Sequence, residues 1–163
     1  QNWPEEINIT KKTIDVDLNL ETNFGPESIK NNIDSKPEFV WMTAESLGDN
    51  DPALNYHSNL PAVFIFDKPL LNYLQLSTKR IIFLLDCLRE LSNKRSTQVY
   101  LDNPIEYLKN KNFACTFAAV PKYKKITRVN IPTSEFPSVR LVKPINFYPS
   151  SYSSWKKRIE LNI

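Results

Sequence analysis

With 163 residues and a mass of 19.0 kDa, the chain can bury one ordinary core without disulfides or metal. At 41% hydrophobic and 12% aromatic it has the composition of a folded protein, and no apolar run approaches the roughly 18 residues of a membrane span. The net charge of +3 hides a polarity, with 11 acidic and 4 basic residues in 1–57 against 7 acidic and 17 basic in 58–163.

From the N-terminus, residues 13–21 alternate strictly. Ile14, Val16, Leu18 and Leu20 fall on one side, and Asp15, Asp17, Asn19 and Glu21 on the other. That pattern predicts a half-exposed strand with an acidic outer face, suited to a sheet edge or to another protein. Gly25-Pro26 breaks it, and the polar stretch to Lys36 reads as a linker, so residues 1–36 form an arm and 37–163 a domain. Residues 39–42 are an apolar strand, and Ala53-Leu54 suggests a brief helical turn. The run 61–66 is continuously apolar, as in a strand covered on both faces. Asp67 then stands at a helix N-cap, with Pro69 in the first turn. Ser77 can cap a longer helix in which Ile81, Leu84, Leu85, Leu88 and Leu91 recur at helical spacing. Residues 98–101 are a strand, and Asp102, Asn103 and Pro104 open a short helix. Further strands are expected at 113–120 and 139–142, and a serine-capped helix at 150–160.

Strands alternating with helices predict a doubly wound, mostly parallel, Rossmann-like α/β sheet with an extra N-terminal β arm. Ligands in such sheets sit beyond the carboxyl ends of the strands, here at residues 43–51, 67–69, 102–104 and 120–123. The chain has two glycines, Gly25 and Gly48, so neither a dinucleotide fingerprint nor a P-loop can be built. His57 is the only histidine, and Cys87 and Cys115 fall in separate apolar elements, so no metal site and no catalytic residue is expected. Both cysteines read as buried thiols, which points to a reducing, cytoplasmic setting. The start at Gln1 reads as a processed or trimmed end.

The series Phe39-Val40-Trp41, Asp49-Asn50-Asp51-Pro52-Ala53-Leu54 and AVFIFD resembles the opening of the DNA photolyase/cryptochrome family. Residues 77–91 resemble the next helix of that family, 99–108 its strand–Gly-Asp-Pro–helix unit, and 148–157 its Tyr-x-x-Phe-Trp-Lys region. The likeness spans roughly residues 39–160. The chain departs from the family at three places: 43–47 replace an arginine-rich turn, Asp102-Asn103-Pro104 replaces Gly-Asp-Pro, and PKYKKITR follows 113–120. The resemblance implies the family's N-terminal, antenna-type α/β fold, with a strand-end pocket formed by Thr43, Glu45, Asp67, Asp102, Pro104 and Val120. The family's helical FAD-binding domain is not in the chain as given, so the chain alone is expected neither to hold catalytic flavin nor to repair DNA.

Two functions follow from that resemblance. One is a non-catalytic accessory or assembly subunit that binds a protein through the arm strand or through the face left by the helical domain. Residues 131–148, with Phe136, Val139, Leu141, Val142, Ile145 and Phe147, would supply that face. The other is the chromophore-binding half of a light-dependent photolyase or blue-light flavoprotein, holding a folate, deazaflavin or flavin. Partner contacts are assigned to Val16, Leu18, Leu20, Lys122, Lys124, Lys125, Trp155 and Lys156. The basic clusters 94–95, 122–125 and 156–158 suit nucleic acid, an acidic partner or the acidic arm. Only Tyr123 and Trp155 interleave with them as aromatics, a thin pattern for nucleic acid.

Overall fold

The computed structural model describes residues 25–32, 35–140, 142 and 150–159. The alternating segment 13–21, with Val16, Leu18 and Leu20, lies outside them, as do Leu141, Ile145 and Phe147. Six strands form one sheet: β1 (Lys30–Asn31), β2 (Phe39–Met42), β3 (Ala62–Asp67), β4 (Thr97–Asp102), β5 (Phe113–Thr116) and β6 (Ser134–Phe136), in the order β1-β6-β5-β2-β3-β4. All neighbours run parallel except the β1–β6 pair. Chain order therefore reverses between β2 and β5, the switch point of a doubly wound α/β sheet of Rossmann-like order.

Helices cover both faces. Helix α1 (Pro52–Tyr56) and the long α3 (Thr78–Ser92) lie over Val40, Met42, Ala62, Phe64, Ala114 and Phe136. Helices α4 (Pro104–Leu108) and α5 (Pro121–Val129) cover Phe39, Trp41, Val63, Ile65, Phe113 and Cys115 on the opposite face. Burial on both sides explains why β2, β5 and most of β3 read as unbroken apolar runs. Helix α2 (Lys68–Leu74) follows β3 directly, and α6 (Tyr152–Lys156) closes the described chain, with Ser151 Oγ accepting from the Ser154 amide at 3.2 Å. Among the described residues no helix is long and apolar enough to cross a membrane.

Several expectations change. Among the described residues the last strand is 134–136, not 139–142: Val139 and Arg140 lie in no strand, and Val142 makes a single bridge. Strand β6 is Ser134-Glu135-Phe136, with one apolar residue, and Pro132 and Pro137 flank it, so it carries no strand periodicity. Phe136 is thereby a core residue, 2% exposed, and not part of an open face. The strand at 113 ends at Thr116, and the basic run after it is helix α5, with Pro121 in its first turn. Ser77 stands at the N-cap of α3 but makes no side-chain cap bond. Residues 30–31, inside the expected linker, pair with β6 as β1. Gly25 carries a φ of +74°, and a Cβ there would run into the Phe117 ring, so only glycine suits the turn that leads into the sheet.

Candidate functional site

The loops that follow β2, β3, β4 and β5 converge at the carboxyl end of the sheet. After β2 the chain makes a single 3-10 turn, Ala44–Ser46, held where the Thr43 amide donates to Ser46 Oγ at 3.0 Å. After β3 no loop intervenes, because Asp67 caps α2 at once: its Oδ1 accepts from the Leu70 amide at 2.9 Å. Its other oxygen, Oδ2, pairs with Lys122 Nζ at 3.0 Å, joining the start of α2 to the first turn of α5. Both oxygens of Asp67 are thereby engaged, and Lys122 is tied to the domain.

Between these elements lies a cavity of about 400 Å³. Its floor is Trp41, Met42, Phe64, Ile65 and Phe66, from the last turns of β2 and β3. One wall is leucine: Leu70, Leu71, Leu74 and Leu76, with Leu84 of α3 behind them. Val120, Pro121, Tyr123 and Ile126 form the opposite wall with Pro104, and Thr43, Ala44, Glu45, Asp67, Lys122 and Arg80 make the polar rim. Arg80, exposed in the first turn of α3, has no ion-pair partner among the described residues. Such a cavity offers an apolar slot closed at its lip by an ion pair and one spare cation.

The floor is rigid. Trp41 lies parallel to Tyr123, ring centroids 5.7 Å apart and 2° between planes, and meets Phe113 edge-on at 5.8 Å. The Tyr123 hydroxyl donates to Glu135 Oε1 at 2.7 Å and lies 3.2 Å from Cys115 Sγ. Burial, reinforced by the neighbouring Cys115 and Glu135, pushes the Tyr123 hydroxyl well above its ordinary range, and burial does the same to the Cys115 thiol. Both stay protonated, and Cys115 is an inert core thiol.

Of the six strand-end residues expected to share a pocket, Thr43, Glu45, Asp67, Pro104 and Val120 line this cavity, whereas Asp102 does not. Asp102 is exposed and does not cap α4 either. Its Oδ1 accepts from the Asn103 amide at 2.7 Å, while Asn103 Oδ1 accepts from the Ile105 amide at 3.0 Å and is the cap. Asn103, one residue later, is placed to reach the Ile105 amide, and Asp102 ends β4 outside the rim. Leu71, Leu74, Leu76 and Arg80 were not singled out from sequence. The leucines of α2 offered the only signal, a run too apolar for an exposed short helix.

A smaller cavity of about 270 Å³ lies at the switch point, lined by Glu45, Asp51, Thr116, Phe117 and Val139 among others. Asp51 is buried there. Its Oδ1 caps α1 through the Leu54 amide at 2.9 Å, and Thr116 Oγ1 accepts from the Ala53 amide at 3.2 Å. Burial raises the Asp51 carboxyl against the hydrogen bonds from Leu54, Thr116 and Ala53. The charges of Lys94 and Arg95 are engaged within the domain. Lys94 bonds Asp49 at 2.7 Å, and Arg95 donates to four backbone carbonyls. Lys124 and Lys125 ride on α5, Lys156 is exposed on α6, and Trp155 packs its ring 5.5 Å from Tyr152. No group of three or more His, Cys, Asp or Glu side chains able to hold a metal occurs among the described residues. Comparison of the chain with protein-family models, with curated proteins and with solved structures finds no match.

Proposed function

We propose that this is a photolyase/cryptochrome-type α/β domain whose task is to hold an aromatic chromophore of the folate, deazaflavin or flavin class over the carboxyl ends of β2 and β3. The observation that carries this reading is the cavity itself. At about 400 Å³ it falls in the size range of small-molecule sites, roughly 300 to 1,000 Å³, and it has their chemistry of apolar walls with a few polar groups at the rim. A flat conjugated ring suits the slot between the leucines of α2 and the wall of α5, with Phe64 and Phe66 as its floor. Arg80 is the cation at the lip without an ion-pair partner among the described residues, and it is the one offered to an anionic substituent beside the Asp67–Lys122 pair. The chromophore would supply light absorption. The protein would supply a rigid, water-poor enclosure, and photochemistry on DNA would need a separate helical, FAD-binding part.

A second reading, a non-catalytic accessory or assembly subunit, is supported by apolar side chains left open on α3 and β4, among them Phe83 and Leu101.

The chromophore reading is tested by titrating the protein with FMN, a reduced folate and a deazaflavin while following absorbance and fluorescence. One ligand per chain is expected. Ala44→Trp, which places an indole in the rim from an exposed position, should weaken binding at least tenfold without unfolding the domain. Failure of the wild type to bind all three ligands, or undiminished binding by the Trp variant, would sink the reading.

A further inference from the structure

The two edges of the sheet are built differently. The β1 edge is blunted: it is two residues long, polar, and carries Lys30. The β4 edge is not. Among the described residues it pairs only with β3; it runs for six residues from Thr97 to Asp102 and contains no proline or lysine. Val99 and Leu101 sit beside Phe64 and Phe66 in the register, on the face that α3 covers, yet they are 43% and 62% exposed. An edge of that length, unpaired among the described residues and carrying apolar side chains, is a template for another strand.

We propose that residues 13–21 of a second copy of this chain add as a strand to the β4 edge, and that two copies exchange these segments reciprocally. The inference is independent of what the cavity holds. The segment has the period the edge requires. In either strand direction Ile14, Val16, Leu18 and Leu20 can extend the apolar face beside Val99 and Leu101. The acidic side chains then fall on the face of Tyr100, whose ring packs 4.6 Å from Tyr107 beneath Lys111, 3.4 Å above that ring. The donor is a second copy because of reach. Gly25 lies against Phe117, just past β5, and the position beyond β4 is four strand spacings from β5, roughly 19 Å. The four residues from Glu21 to Gly25 span at most roughly 14 Å. Reciprocal exchange closes as a two-fold dimer and leaves no open edge on β4.

The test uses the full chain and measures mass in solution by sedimentation and light scattering over a range of concentrations. The expected species is a dimer, twice 19.0 kDa. Val16→Pro in the arm, and separately Leu101→Lys or Val99→Lys on the edge, should each give monomers with unchanged far-UV circular dichroism. Mixing the Val16→Pro and Leu101→Lys proteins should restore a one-to-one dimer, since one intact arm then meets one intact edge. A wild type that stays monomeric, a dimer that survives these substitutions, or a mixture that fails to associate overturns the proposal. Capture of a different protein's strand by a monomeric wild type would overturn it too.

Discussion

The guanidinium of Arg95 donates to the carbonyl oxygens of Leu54, His57, Ser58 and Leu60, at distances between 2.6 and 3.1 Å. It closes the C-terminal end of α1 and the turn into β3, adding to the Leu60 amide that also donates to the His57 carbonyl at 3.1 Å. The apolar stem of methionine can replace the volume but none of the donors. Arg95→Met should therefore cost about 1.5 to 3 kcal/mol, the range for losing charge-assisted hydrogen bonds. A shift of the urea midpoint at constant slope would report it, and a midpoint within error of wild type would deny Arg95 this role.

Asp51 gives a pH dependence whose sign follows from its burial. The unfolded carboxyl titrates near the ordinary 3.8, and desolvation raises it in the folded chain. Between those two values the folded state holds the extra proton, so the contribution of Asp51 is present below 3.8 and is lost as pH rises through the folded value. Asp51→Asn retains a good N-cap and removes the titration. The stability of wild type relative to this variant should fall as pH rises through that window and then level off, read from urea midpoints between about pH 3 and 8. A relative stability that increases with pH would contradict the burial of this group.

At the scale of elements, legibility tracked how many neighbours an element had to satisfy. Strands β2 and β3 are covered on both faces, so their sequences carry an uninterrupted apolar signal and their bounds were readable to within a residue. Helix α3 was readable as a helix but not in its exposure. Leu88 is buried, whereas Leu85 is 46% exposed, because the strand beneath its flank is the sheet edge β4. An amphipathic stripe reports which side is apolar, not how wide a surface awaits it. Helix α5 was missed because Tyr123 and Ile126 alone face the core and five of its nine residues are basic or threonine. Strand β6 was missed because two of its three residues, Ser134 and Glu135, are polar, and the partner of Glu135, the Tyr123 hydroxyl, comes from another element. The cavity shows the same division. The strand-end residues could be listed from topology, but Arg80 and the leucines of α2 enter it only through the angle at which α2 leaves β3.

At the scale of the whole domain, the sheet is the shared wall of two cores, and among the described residues no helix spans from one to the other. Loss of either core strips β2, β3 and β5 on one face, so these strands should open only when the whole domain unfolds. Native-state hydrogen exchange should give the amides of 40–42, 63–65 and 114–116 one common protection, equal to the global unfolding free energy. The Lys30–Asn31 amides, held by a two-residue pairing, should exchange faster by local fraying. The amides of β4 discriminate further. Those pointing to β3 are paired already, while those pointing outward at the edge have no strand beside them among the described residues. If a second copy supplies one, the outward set alone should gain protection as protein concentration rises, and Val16→Pro should abolish that gain. Outward amides that exchange at the same rate at every concentration would mean that the β4 edge stays bare, and the arm would then need a different partner.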